Sequence, residues 1–89
     1  MITKSFKLED RSWTSLVDFV QMAAGMTYCI QPSRGVLYFY QSDAAPTKDD
    51  QGIGVDPSGI LRFKYAADVN YYIRVLYPET VIVTITEAA

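Results

Sequence analysis

Short runs in which apolar and polar side chains take turns constrain this chain more than any other feature. Near its C-terminus Val81, Val83 and Ile85 interleave with Thr80, Ile82, Thr84 and Thr86, and nearly every position is β-branched. Branching at Cβ restricts χ1 and suits a pleated surface, while a period of two sends alternate residues to opposite faces. Tyr71, Ile73 and Val75 alternate in the same way with Tyr72, Arg74 and Leu76. Between the two runs, Tyr77-Pro78-Glu79-Thr80 carries turn chemistry, since proline fixes its own φ and has no N–H for a ladder. An antiparallel hairpin is expected. Upstream, Leu61, Phe63 and Tyr65 face one way and Arg62 and Lys64 the other. That strand is introduced by Asp56-Pro57-Ser58-Gly59, with proline at the second turn position and glycine at the last.

The first half of the chain is less regular. Val36-Leu37-Tyr38-Phe39-Tyr40 suits a strand covered on both faces. Pro32-Ser33-Arg34-Gly35 separates it from residues 26–31, so a second hairpin is expected there. Residues 3–8 alternate with Phe6 and Leu8 inward. Residues 14–24 satisfy two patterns: Leu16, Val17, Phe19, Val20 and Ala23 fit a helical face behind Ser12 or Thr14, and Val17 and Phe19 alternate with Leu16, Asp18 and Val20. The β-rich surroundings favour a strand. Residues 43–54 form the longest irregular stretch, polar and acidic, of the kind that is either mobile or used.

With 89 residues there is room for one hydrophobic core. The expectation is therefore a single mostly β domain over residues 1–89, an antiparallel β-sandwich, jelly-roll-like or Ig-like, of about seven strands. A short helix near residues 14–24 stays open.

Composition removes several function classes. The hydrophobic share of 49% with 20% charge is that of an ordinary globular domain. No run approaches the roughly 18 apolar residues of a membrane helix, and the lysines of the first seven residues precede no apolar signal core. Neither a membrane span nor a cleaved export signal is expected. Cys29 is the sole cysteine, which excludes an internal disulfide, and its neighbours Tyr28 and Ile30 point to a thiol buried in a strand. The net charge of −2, with eight basic residues scattered singly, speaks against nucleic acid, whose phosphates are bound by clustered lysine and arginine. The absence of histidine removes the commonest general base, neutral metal ligand and pH switch.

The remaining candidates are weighed against plainer roles. Asp43, Asp49, Asp50 and Asp56 cluster in sequence, but their spacing lacks the alternation and closing glutamate of an EF-hand, so a solvated acidic loop is expected, with no metal and no cofactor. Gly52-Ile53-Gly54 is too short for a phosphate cradle, and Ser12, Ser15 and Ser58 have no histidine to activate them. Catalysis is not expected. Aromatic side chains make up 13% of the chain. Tyr38, Tyr40, Tyr72 and Tyr77 are placed outward by alternation, where they cover a core edge or meet another protein. Thr84 and Thr86 on the last strand are candidates for the same contact. Trp13 is read as a packing anchor, with stacking on a sugar ring as its alternative. Open sheet edges add a reason to expect self-association.

Several of these segments, taken in order, resemble small β-sandwich proteins encoded in phage and prophage structural gene clusters. They are Trp13 ahead of an apolar segment, Tyr28-Cys29-Ile30-Gln31, Val36-Leu37-Tyr38-Phe39, Ser42-Asp43-Ala44-Ala45-Pro46-Thr47, the Asp56-Pro57-Ser58-Gly59 turn, Tyr71-Tyr72-Ile73-Arg74 and Val81-Ile82-Val83-Thr84-Ile85. The likeness covers most of the chain beyond Ser12 and consists of fold and turn patterns. It implies a structural virion protein of tail, fibre or capsid surface, assembled in the bacterial host cytoplasm. It further implies a symmetric homo-oligomer, with a trimer expected, that contacts other virion proteins and no membrane. No catalytic residue is transferred by it. The rival expectation is a carbohydrate-binding module with Trp13 and the tyrosines as stacking platforms and nearby aspartates as acceptors.

Overall fold

Alternation along the chain is met by two antiparallel sheets that close on one core. The computed structural model describes residues 3–9, 12–42, 52–75 and 80–88. Its strands are β1 (Thr3–Leu8), β2 (Thr14–Ser15), β3 (Thr27–Pro32), β4 (Leu37–Ser42), β5 (Ile53–Val55), β6 (Leu61–Lys64), β7 (Asn70–Val75) and β8 (Val81–Ala88). Sheet A has the order β1-β8-β3-β6 and sheet B the order β2-β7-β4-β5. The first strand pairs with the eighth, the second with the seventh, the third with the sixth and the fourth with the fifth. That is the pairing of one long hairpin, and the β3–β8 and β4–β7 ladders are the seams made when it rolls up. The connectivity is that of a jelly roll, which decides between the two sandwich types left open by the sequence.

The core is made by the residues that alternation sends inward. Leu8, Tyr28, Ile30, Phe63, Val81, Val83 and Ile85 come from sheet A, and Leu37, Phe39, Tyr71, Ile73 and Val75 from sheet B. Each such side chain contributes about 1.5–3 kcal/mol on full burial. Rings bridge the sheets, Phe39 to Phe63 at 5.0 Å and Phe63 to Tyr71 at 5.2 Å, while Phe39 and Tyr71 lie 5.9 Å apart within sheet B. Tyr71 is buried, yet its hydroxyl accepts the Ala66 N–H at 2.9 Å and donates to the Lys64 carbonyl at 3.1 Å. A buried phenol needs partners of this kind, and here they pin the connection that follows β6.

The expected turn at residues 56–59 is present. The Gly59 N–H reaches the Asp56 carbonyl at 3.0 Å, and Asp56 Oδ1 accepts from the Ser58 N–H at 3.0 Å and the Ser58 hydroxyl at 2.6 Å. These bonds to the charged form, the hydroxyl first and the backbone second, hold the Asp56 carboxyl below its ordinary value.

Several expectations are corrected. Neither predicted hairpin exists: β3 and β4 lie in different sheets, as do β7 and β8. In each case the chain crosses from one sheet to the other, because rolling pairs strands that are distant in sequence. The described residues form eight strands, in keeping with the sandwich of about seven that alternation predicts. The additional strand is β5, whose Ile53 and Gly54 fall in the stretch that the sequence marks as irregular. Residues 14–24 form neither a long strand nor an amphipathic helix. Two residues pair with β7, a 3-10 turn follows at Leu16–Asp18, and the chain then leaves sheet B for β3. Leu16 and Val20 are buried, so the apolar spacing serves core anchoring along this crossing. Cys29 is half-buried on the outer face of sheet A, opposite Thr86 and Arg62, and not in the core. Among the described residues no helix is long and apolar enough to cross a membrane.

Candidate functional site

The outer face of sheet B gathers most of the aromatic residues that alternation placed outside. In the ladder between β4 and β7, Tyr38 stands opposite Arg74 and Tyr40 opposite Tyr72. These positions alternate with the buried Leu37, Phe39, Ile73 and Val75, so all four point away from the core. Tyr38, Tyr40 and Tyr72 are half-buried, which leaves part of each ring in solvent.

Trp13 precedes β2 at the edge of this sheet and lies across the same face. The Arg74 guanidinium carbon is 4.4 Å from the Trp13 ring centre, and the Trp13 and Tyr40 rings are 5.6 Å apart at 51°. Arg74 is only 7% exposed. A cation held between strand neighbours and an indole face in this way is attracted by the ring quadrupole with little competition from water.

The far side of the face is shaped by glycines. A Cβ at Gly52 would overlap the Phe39 carbonyl oxygen and come within 3.1 Å of the Trp13 ring, and Gly52 has φ +70°. Gly54 sits opposite Tyr38, and a Cβ there would come within 3.6 Å of the Tyr38 ring. The rings thus lie against backbone. An open pocket of about 250 Å³ adjoins them, lined by Phe39, Tyr40, Gln41, Gly52 and Ile53.

Thr84 and Thr86 lie elsewhere. They alternate with the buried Val83 and Ile85 and face out from sheet A, where the Thr84 and Ser5 hydroxyls are 3.0 Å apart. The candidate contact residues therefore occupy opposite faces of the sandwich, and one flat partner cannot touch both sets. Tyr77, Asp43, Asp49 and Asp50, and the Tyr77-Pro78-Glu79 part of the expected turn, lie outside the described residues.

Arg74 was not singled out in the sequence. It shares the parity of Tyr72 on its own strand, which was the available signal, but nothing local marks it as the residue that Trp13 covers. Comparison of the chain with protein-family models, curated proteins and solved structures found no match.

Proposed function

We propose that this chain is a non-catalytic structural protein of a phage particle and that it works through protein contacts made by the outer face of sheet B. The observation that carries the reading is the packing of Arg74 beneath Trp13, which fixes a face whose exposed parts are tyrosine rings. Tyrosine has few rotatable bonds, so docking against such rings on paired strands costs little ordering, and its amphipathic ring suits a protein interface. Jelly rolls serve capsid subunits, lectins and cupins alike, so the fold supports a virion role by analogy only.

The same face bears on the sugar-binding alternative. Arg74 occupies one face of the Trp13 ring, which leaves that indole less free to stack on a pyranose. This favours a protein partner.

The test is incorporation. The gene is expected to lie among terminase, portal or tail genes, and an antibody against the chain is expected to detect it in particles purified after induction of the host. The double variant Tyr38→Ser with Tyr72→Ser should fold and be lost from those particles, while a glycan array stays silent. A gene set in a metabolic operon, or particles free of the chain, would end the virion reading, and a selective sugar signal would replace it with the rival.

A further inference from the structure

β8 has the composition of a strand that pairs readily with others. Val81-Ile82-Val83-Thr84-Ile85-Thr86 is six consecutive β-branched residues with no charge, glycine or proline, the pattern that makes a bare edge a site of further pairing. In sheet A it lies between β1 and β3, so β1 alone covers its outer edge. The outer edge of β1 itself carries Lys4 and Lys7, charges that discourage a further strand.

That cover is lightly held. Thr3, Lys4, Ser5 and Lys7 are exposed, Phe6 is half-buried and only Leu8 is buried, which makes β1 the most exposed of the six-residue strands. It pairs with β8 alone. No hairpin turn ties the two, since Ser5 and Thr84, opposite one another in the ladder, are 79 residues apart in sequence. Beyond β1 the chain is anchored on the other sheet, by Trp13 over Arg74 and by β2 on β7. Release of β1 therefore breaks one ladder and leaves the others paired.

The place that β1 leaves fits the sequence of β1. Leu8 enters the core, Phe6 stacks on Phe19 at 4.6 Å and 9°, and the Ser5 and Thr84 hydroxyls are 3.0 Å apart. A β8 strand from another molecule has neither phenylalanine nor leucine to supply there. β1 of another copy restores all three contacts unchanged. The contact energy is then the same in both arrangements, and concentration decides between them.

We propose that β1 is an exchangeable strand, which at high concentration leaves its own β8 and pairs with β8 of a second copy while that copy returns its β1 in the same way. Each chain gives one strand and receives one, so the smallest assembly is a closed dimer that retains the β1 contacts of the monomer. The proposal needs neither the aromatic face of sheet B nor the identity of the particle. Opening precedes exchange, so assembly is slow in buffer and quickened by mild denaturant.

Cross-linking between chains tests this. Residues opposite in an antiparallel ladder have Cα atoms about 4.5–5.5 Å apart, within disulfide reach, so Ser5→Cys on one chain and Thr84→Cys on another report whose β1 lies on whose β8. Cys29→Ser in both removes the native thiol. The two chains, mixed at about 1 mM in urea below the unfolding midpoint, returned to buffer and oxidised, are expected to give a covalent pair containing one of each. Wild-type protein taken through the same steps should scatter light as a dimer. A single chain with Ser5→Cys, Thr84→Cys and Cys29→Ser, oxidised beforehand so that the staple holds β1 on its own β8, should stay monomeric. Wild-type protein that stays monomeric overturns exchange and leaves the particle reading to its own test. Like-with-like disulfides as abundant as mixed ones, or a stapled chain that dimerises, overturn the assignment to β1. Fibres that bind thioflavin T in place of dimers overturn it too, since β8 would then be pairing with β8.

Discussion

The guanidinium of Arg74 lies 4.4 Å from the centre of the Trp13 ring, at a position that leaves Arg74 7% exposed. A desolvated cation over an indole is worth about 2 kcal/mol, and truncation of the indole also removes packing from the outer face of sheet B. Trp13→Ala is therefore expected to cost about 2–3 kcal/mol in urea unfolding followed by circular dichroism. Arg74→Met keeps much of the side chain's packing but removes the cation from the indole face, and should cost about 2 kcal/mol. A Trp13→Ala protein as stable as wild type would show that the contact does not hold the face together.

Tyr71 tests whether the inward phenol acts through its ring alone. Tyr71→Phe keeps the contacts with Phe39 and Phe63 but leaves the Ala66 N–H and Lys64 carbonyl without the hydroxyl. The loss should be about 1–2 kcal/mol, or roughly 4–12 °C in melting temperature for a domain of this size. An unchanged melting temperature would mean that water replaces the hydroxyl at no cost.

Gly52 and Gly25 separate backbone strain from steric overlap. Both have positive φ, +70° and +85°, but a Cβ at Gly25 meets nothing within 4 Å whereas one at Gly52 overlaps the Phe39 carbonyl oxygen. Gly25→Ala should cost about 1 kcal/mol, the conformational term alone, and Gly52→Ala at least about 2 kcal/mol. Equal losses would indicate that the β4–β5 approach yields easily.

Asp56 gives the turn a pH dependence. Its folded pKa is lowered, chiefly by the Ser58 hydroxyl, so its contribution to stability is present above the unfolded carboxyl range and fades as pH falls through the folded value. Asp56→Ala should melt below wild type at neutral pH, and the gap should close as the pH is taken below about 4. A gap that is constant with pH would assign the effect to backbone conformation.

The inward residues of β6, β7 and β8 and the turn at residues 56–59 follow from sequence alone, because side-chain parity and turn chemistry are local properties. Outward placement of Tyr38, Tyr40 and Tyr72 follows for the same reason, and the parity Cys29 shares with Thr27 and Gln31 carried the signal of its outer position. Which strand lies beside which does not follow. Backbone N–H and C=O groups are the same in every strand, so the hairpins suggested by short connections were lost to the rolled pairing of first with last, which closes the core over both sheets. β5 is too short for alternation to reveal it, and the apolar spacing of residues 14–24 serves a helix, a strand or an anchored crossing equally well. Only the packing of the two sheets chose the crossing, and only the pairing of β2 with β7 brought Trp13 over Arg74.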